Sequence, residues 1–209
     1  MSRINRRFAV TKVTRTDSGF ARDTRADTVT VEEPLAIRAT GDTLTTTMRT
    51  PGHDIELAHG WMFAEGLISS AEDVRSARYC AGAVGPNGEN TYNTLDIGLG
   101  PAASPAAPQF IRLTTTTSAC GVCGTQSIDD IMGKVPAPIT PVRLDPDLVM
   151  RLPGALATGQ KQFRKTGGIH AAGAFTFDGE PVVIREDIGR HNATDKVIGH
   201  LLLEGLLPA

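Results

Sequence analysis

The hydrophobic spacing changes period at Pro51-Gly52, and this change restricts the chain to folds that mix strands and helices. Before it, Leu35-Ala36-Ile37-Arg38 and Leu44-Thr45-Thr46-Thr47-Met48 are short apolar or β-branched runs around Thr40-Gly41-Asp42, the pattern of a hairpin. After it, Leu57, Ala58, Trp61 and Met62 recur at spacings of three and four, the stripe of an amphipathic helix. Asp54 is placed to cap that helix and Gly66 to end it. The same alternation continues downstream. Tyr92–Leu99 and Phe110–Thr116 read as strands, and Ile128, Ile131 and Met132 mark a helix. Ala171–Phe177 and Pro181–Ile184 flank Asp178-Gly179, a two-residue hairpin signal. Asn192 with Asp195 three residues later predicts a helix start, with Val197, Ile198, Leu201 and Leu202 on its apolar face. No internal repeat is present.

The punctuation divides the 209 residues. Residues 1–27 are polar, rich in Arg, Thr and Asp, and read as an irregular leader. Pro101-Ala102-Ala103-Ser104-Pro105-Ala106-Ala107-Pro108 is the best linker, so residues 28–105 form a small α+β region and residues 106–209 a second one.

A net charge of -2 gives no global attraction to nucleic acid or an anionic membrane. No apolar run approaches the roughly 20 residues that span a bilayer. Arg6-Arg7 only weakly imitates a twin-arginine signal, because the polar Thr11–Thr30 segment follows it. The expected location is the cytoplasm, without nucleic acid or membrane as partner.

Three cysteines, Cys80, Cys120 and Cys123, do not make a disulfide framework. Cys80 has no partner nearby in sequence and reads as structural. Ser118-Ala119-Cys120-Gly121-Val122-Cys123-Gly124 sits where a strand gives way to a helix. Structural zinc needs about four ligands, and no second cysteine pair or paired histidines accompany this one. A thioredoxin-like redox site lacks its flanking tryptophan and proline. Nucleophilic sulfur chemistry suits a cysteine near unpaired backbone N–H groups at a helix start, where the thiolate or its persulfide is stabilised. A buried pair in a tight turn is the bland alternative. Spacing alone leaves these open.

Two further polar clusters stand out. Thr166-Gly167-Gly168-Ile169-His170 brings a histidine after two glycines, which let backbone approach a ligand. Arg185-Glu186-Asp187-Ile188-Gly189-Arg190-His191-Asn192 is either a solvated charged turn or an anion site. In the second reading Arg190, His191 and the helix-start N–H groups hold a phosphate, with Glu186 and Asp187 orienting the arginine.

With these blocks the chain resembles the FdhD family of formate dehydrogenase accessory sulfurtransferases. The match also includes Glu33-Pro34-Leu35, Met48-Arg49-Thr50-Pro51-Gly52, Glu56-Leu57-Ala58, Glu65-Gly66-Leu67-Ile68 and Asp195-Lys196, in the family's order from about residue 29 onward. The resemblance implies an α/β fold similar to cytidine deaminase, with a small N-terminal region and a homodimer as the assembly. It implies a sulfur carrier between a cysteine desulfurase and the molybdenum bis(pyranopterin guanine dinucleotide) cofactor, which is bound as substrate and then inserted into formate dehydrogenase. No permanent cofactor or metal is expected, since the deaminase zinc signature is absent. By motif, Cys120 would carry the persulfide, Cys123 would either assist release or only tune the loop, and His170, Arg190 and His191 would bind the cofactor. The alternative is a non-catalytic chaperone for the cofactor or the apoenzyme. Members continue several dozen residues past the Asp195–Leu207 helix, so part of the sheet and cofactor site is expected to be missing here.

Overall fold

A computed structural model describes residues 4–80, 91–101, 103, 115–116 and 141–207. The expected class is what it has: strands and helices mixed along the chain. β1 (Asn5–Thr16) and β2 (Gly19–Thr30) pair antiparallel as a separate ribbon. β3 (Glu33–Ala39), β4 (Asp42–Arg49), β5 (Val74–Tyr79), β6 (Thr94–Leu99) and β7 (Thr115–Thr116) form one sheet in the order β5-β6-β3-β4-β7. β8 (His170–Phe175) and β9 (Pro181–Asp187) form an antiparallel hairpin. The helices are α1 (Asp54–Ala64), α2 (Pro146–Gly159), α3 (Lys161–Thr166) and α4 (Arg190–Leu203). None among the described residues is long and apolar enough to cross a membrane.

The core lies between the five-stranded sheet and α1. Leu35, Ile37, Leu44, Leu95 and Ile97 from the sheet meet Leu57, Ala58 and Met62 from the helix, and Leu202 of α4 joins them. The predicted stripe of α1 does this packing, apart from Trp61, which is only partly buried. Gly66 (φ 74) ends the helix as expected. Its N–H reaches the Phe63 carbonyl and the Leu67 N–H reaches Met62, a Schellman closure.

α4 is wedged between α1 and the β8–β9 hairpin. The two helices touch backbone to backbone. A Cβ at Gly60 would run into the Asp195 carbonyl, and one at Gly199 into the Glu56 carbonyl. Two glycines therefore set the closeness of the helix that carries the charged motif.

Four local expectations need correction. Residues 5–30 are not an irregular leader: the β-branched and polar residues pair for twelve rungs around Asp17-Ser18. Asp54 does not cap α1. His53 holds the cap position in a left-handed conformation (φ 57), while Asp54 turns inward. The β8–β9 connection has three residues rather than two. Thr176 pairs with Glu180, and Gly179 takes positive φ. Finally, α4 begins at Arg190 behind Gly189, so Asn192 lies inside its first turn.

Candidate functional site

The charged motif divides into an inward and an outward half. Asp187, at the end of β9, is fully buried and accepts four hydrogen bonds. Oδ2 takes the Lys196 ammonium at 2.6 Å and the Thr50 N–H at 3.1 Å. Oδ1 takes the Gly189 N–H at 2.9 Å and the Asn192 amide at 3.2 Å. Lys196, also buried, donates again to the Thr50 carbonyl at 2.9 Å. Asn192 donates to the Met48 carbonyl at 2.7 Å and accepts from the Thr47 hydroxyl at 3.3 Å. The Ile188 N–H donates to Thr50 Oγ1 at 3.1 Å. Two distant blocks, Met48–Thr50 and Asp187–Lys196, are thus bolted together.

On the other side of the same turn, the fully buried Arg49 guanidinium forks onto Asp54 at 3.1 and 2.8 Å. It also donates to the Glu33 and Tyr92 carbonyls and to Asn93 Oδ1. Tyr79 adds a hydroxyl donor to Asp54 at 3.2 Å. Below, Arg185 of β9 donates twice to Glu56 of α1, at 2.5 and 2.6 Å. His53 and His200 each stand 3.1 Å from the Glu56 carboxylate. Partial burial would raise the Glu56 pKa, but the bonds from Arg185 and His53 outweigh it and hold the carboxyl well below its usual range. Asp195 goes the other way: burial, then the charges of Glu65 and Asp187, push it up to about 7.

Glu186 and Asp187 therefore do not serve to orient Arg190. Asp187 is saturated inside, and Glu186 accepts the Gln162 and Phe163 N–H groups, both at 2.8 Å, at the start of α3. The outward half consists of His170, Arg190 and His191, all exposed. His170 opens β8 directly across from Asp187, and Arg190 and His191 open α4. The structure gathers these three at one end of the hairpin, beside a helix N-terminus suited to an anion.

Cys120 and Cys123 lie outside the described residues, as does the helix expected around Ile128–Met132. β7 pairs parallel with β4, Thr46 opposite Thr115 and Thr47 opposite Thr116. Both strands run toward Thr50, so Thr116 arrives at the end of the sheet that faces Asn192. Cys80, partly buried at the end of β5, is a free thiol. Among the described residues no group of three or more His, Cys, Asp or Glu is placed to hold a metal. Sequence reasoning missed Thr47, Met48 and Thr50 as the partners of the motif, and the buried Arg49–Asp54 pair beside them. An arginine and an acid astride Pro51-Gly52 were the available signal.

Comparison with known proteins gives the family and the fold. The model of the FdhD/NarQ family matches residues 30–209. A sulfur carrier protein FdhD of Corynebacterium efficiens is 54% identical over 211 residues, taking in 100% of this chain and 76% of its own. One from Nocardia farcinica is 51% identical over 187 residues, 88% of this chain and 65% of its own. This chain thus spans from about two thirds to three quarters of these relatives' length. A protein from Desulfotalea psychrophila, crystallised as a proposed formate dehydrogenase accessory protein, superposes with a TM-score of 0.64 at 23% identity, covering 95% of this chain and 70% of that one. That likeness concerns the fold.

Proposed function

The chain belongs to the FdhD/NarQ family, and on that footing we propose that it is a cytoplasmic sulfur carrier serving formate dehydrogenase maturation. The sulfur travels as a persulfide on Cys120. A Cys120 thiolate attacks the outer sulfur of a desulfurase persulfide, giving Cys120–S–SH and returning the donor as its thiol. Cys123 then attacks the inner sulfur, leaving a Cys120–Cys123 disulfide and releasing hydrosulfide, so the sulfane sulfur is reduced as the two thiols are oxidised. The acceptor is the molybdenum bis(pyranopterin guanine dinucleotide) cofactor, bound as substrate. His170, Arg190 and His191 take its anionic groups, and the positive end of α4 adds its N–H groups.

One observation supports the joint use of these motifs. Cys120 follows Thr116 by four peptide steps, which caps their separation at about 14 Å in a fully extended chain. Thr116 pairs with Thr47, whose hydroxyl bonds Asn192 two residues from Arg190. The reading is supported by this short covalent tether between the cysteine motif and a strand whose neighbour touches α4. The Asp187–Lys196 lock has a role in this reading: it fixes the first turn of α4 against β4, on which β7 lies.

Genetic complementation tests the proposal. In cells lacking this protein, the wild-type chain should restore formate dehydrogenase activity, and Cys120→Ala should leave it at background. Full restoration by Cys120→Ala would move the reading to a chaperone that holds the cofactor without carrying sulfur.

A further inference from the structure

Charge is spread unevenly along this chain. Residues 1–30 hold seven of the 21 lysines and arginines but only three of the 23 acids, so the β1–β2 ribbon is basic and the remainder of the chain net acidic. The ribbon has no part in the site above. It is tied at its base, where Asn5 donates to Gln162 at 2.9 Å and Thr30 to Thr166 at 2.9 Å. Within it, β1 carries Arg6, Arg7, Lys12 and Arg15 and no acid. All four are exposed, and none closes an ion pair among the described residues, although Asp23 stands across the ladder from Lys12.

β1 has β2 on one side and, among the described residues, no strand on the other. The turn sets which peptide groups that open edge presents. With Asp17-Ser18 as a two-residue connection, Thr16 and Gly19 exchange bonds, and so does every second pair from there. The N–H and C=O groups of Arg7, Ala9, Thr11, Val13 and Arg15 then point outward, a template for an added strand. The four cations alternate in face, Arg7 and Arg15 on one and Arg6 and Lys12 on the other. Only a chain lying along the edge itself meets both faces at once. A bilayer does not suit this ribbon: Phe8 stands on one face and Val13 and Phe20 on the other, so neither is a single apolar side to insert. A long polyanion such as nucleic acid would run past the ribbon over the acidic remainder.

We propose that the outer edge of β1 is a docking strand for an extended acidic segment of a partner protein, which adds as a third strand. Antiparallel addition is the more stable pairing. The partner's main chain bonds the outward peptide groups, and its acids meet the cations of β1 directly opposite. The register then fixes a pattern. Counted from the partner's N-terminal end, acids stand first, fourth, ninth and tenth, opposite Arg15, Lys12, Arg7 and Arg6. Apolar residues stand third, sixth and eighth, opposite Val13, Val10 and Phe8. This surface is independent of the sulfur-carrier reading, since the ribbon holds none of the residues that reading uses.

Fluorescence anisotropy of the labelled peptide ETVETVTVEE, titrated with the full chain, tests the docking. The peptide should bind, and more weakly as salt is raised. The rearranged peptide TVEETVEETV has the same composition but leaves at most two acids opposite cations in any register. It should bind at least about tenfold more weakly. Methyl groups on the third, fifth and seventh backbone nitrogens of the first peptide point at β1 and should abolish binding, whereas methyls on the fourth, sixth and eighth point away and should spare it. These peptide variants leave the protein's own folding untouched. Arg7→Glu combined with Arg15→Glu should lose the wild-type peptide. Absence of binding, equal binding of the rearranged peptide, or indifference to which nitrogens are methylated would each overturn the proposal. So would tighter binding of an oligothymidine strand or of phosphatidylglycerol vesicles than of the peptide.

Discussion

Two charged regions of this molecule behave in opposite ways. In the lock between β4 and α4, Arg49, Asp54, Asp187 and Lys196 are all buried, and every charge meets its complement at hydrogen-bond distance. In the β1–β2 ribbon, a similar density of Arg, Lys and Asp faces solvent along twelve rungs. Composition does not separate them. The ion pairs of the lock are close in sequence, but the bonds that bury them join blocks 137 or more residues apart, such as Thr50 with Asp187. The ribbon is made by neighbours across one turn. Burial decides the energy: an ion pair kept from water is costly to break, and an exposed one contributes little.

The contrast can be broken in order of size. Lys196→Met strands the Asp187 carboxylate inside, and should cost about 3–5 kcal/mol in urea unfolding. Adding Asp187→Asn to it should recover part of that loss. Gly199→Ala pushes a methyl into the Glu56 carbonyl of α1 and forces the helices apart, for a loss of about 1–3 kcal/mol. Asp195→Asn should have a smaller effect of the opposite sign. Its folded pKa lies near 7 against an ordinary 3.8, so the acid is tolerated when protonated. Its favourable contribution is complete below pH 3.8 and is lost as pH rises through about 7. The asparagine variant should therefore melt higher at pH 8, by about 1–2 kcal/mol once solvent access is allowed for, and match wild type at pH 4. Lys12→Met, which removes an exposed cation opposite Asp23 in the ribbon, should change monomer stability by less than about 0.5 kcal/mol. A large loss at Lys12 would show that the ribbon is not the solvated element described.

Much of the fold was legible because local signals agreed with the global structure. The β3–β4 hairpin, the stripe of α1 and the Gly66 stop all follow from period and turn chemistry. The ribbon was not, since Thr and Arg alternation in a polar segment lacks the apolar face by which strands are recognised. In the site, His170, Arg190 and His191 were legible as candidates, and the structure puts them at one end of a hairpin. What Asp187, Asn192 and Lys196 do was not legible. Their motif reads equally as a solvated turn, and their partners at Thr47–Thr50 are fixed by sheet topology, which no spacing encodes. The cysteine chemistry rests on the motif and the family.

Intact-protein mass spectrometry after incubation with a cysteine desulfurase and cysteine tests the central claim most directly. Wild type should gain about 32 Da, one sulfur atom, reversibly with reductant, and Cys120→Ala should gain nothing. A folded wild-type chain that gains no mass, or a Cys120→Ala chain that gains it equally, would contradict the account.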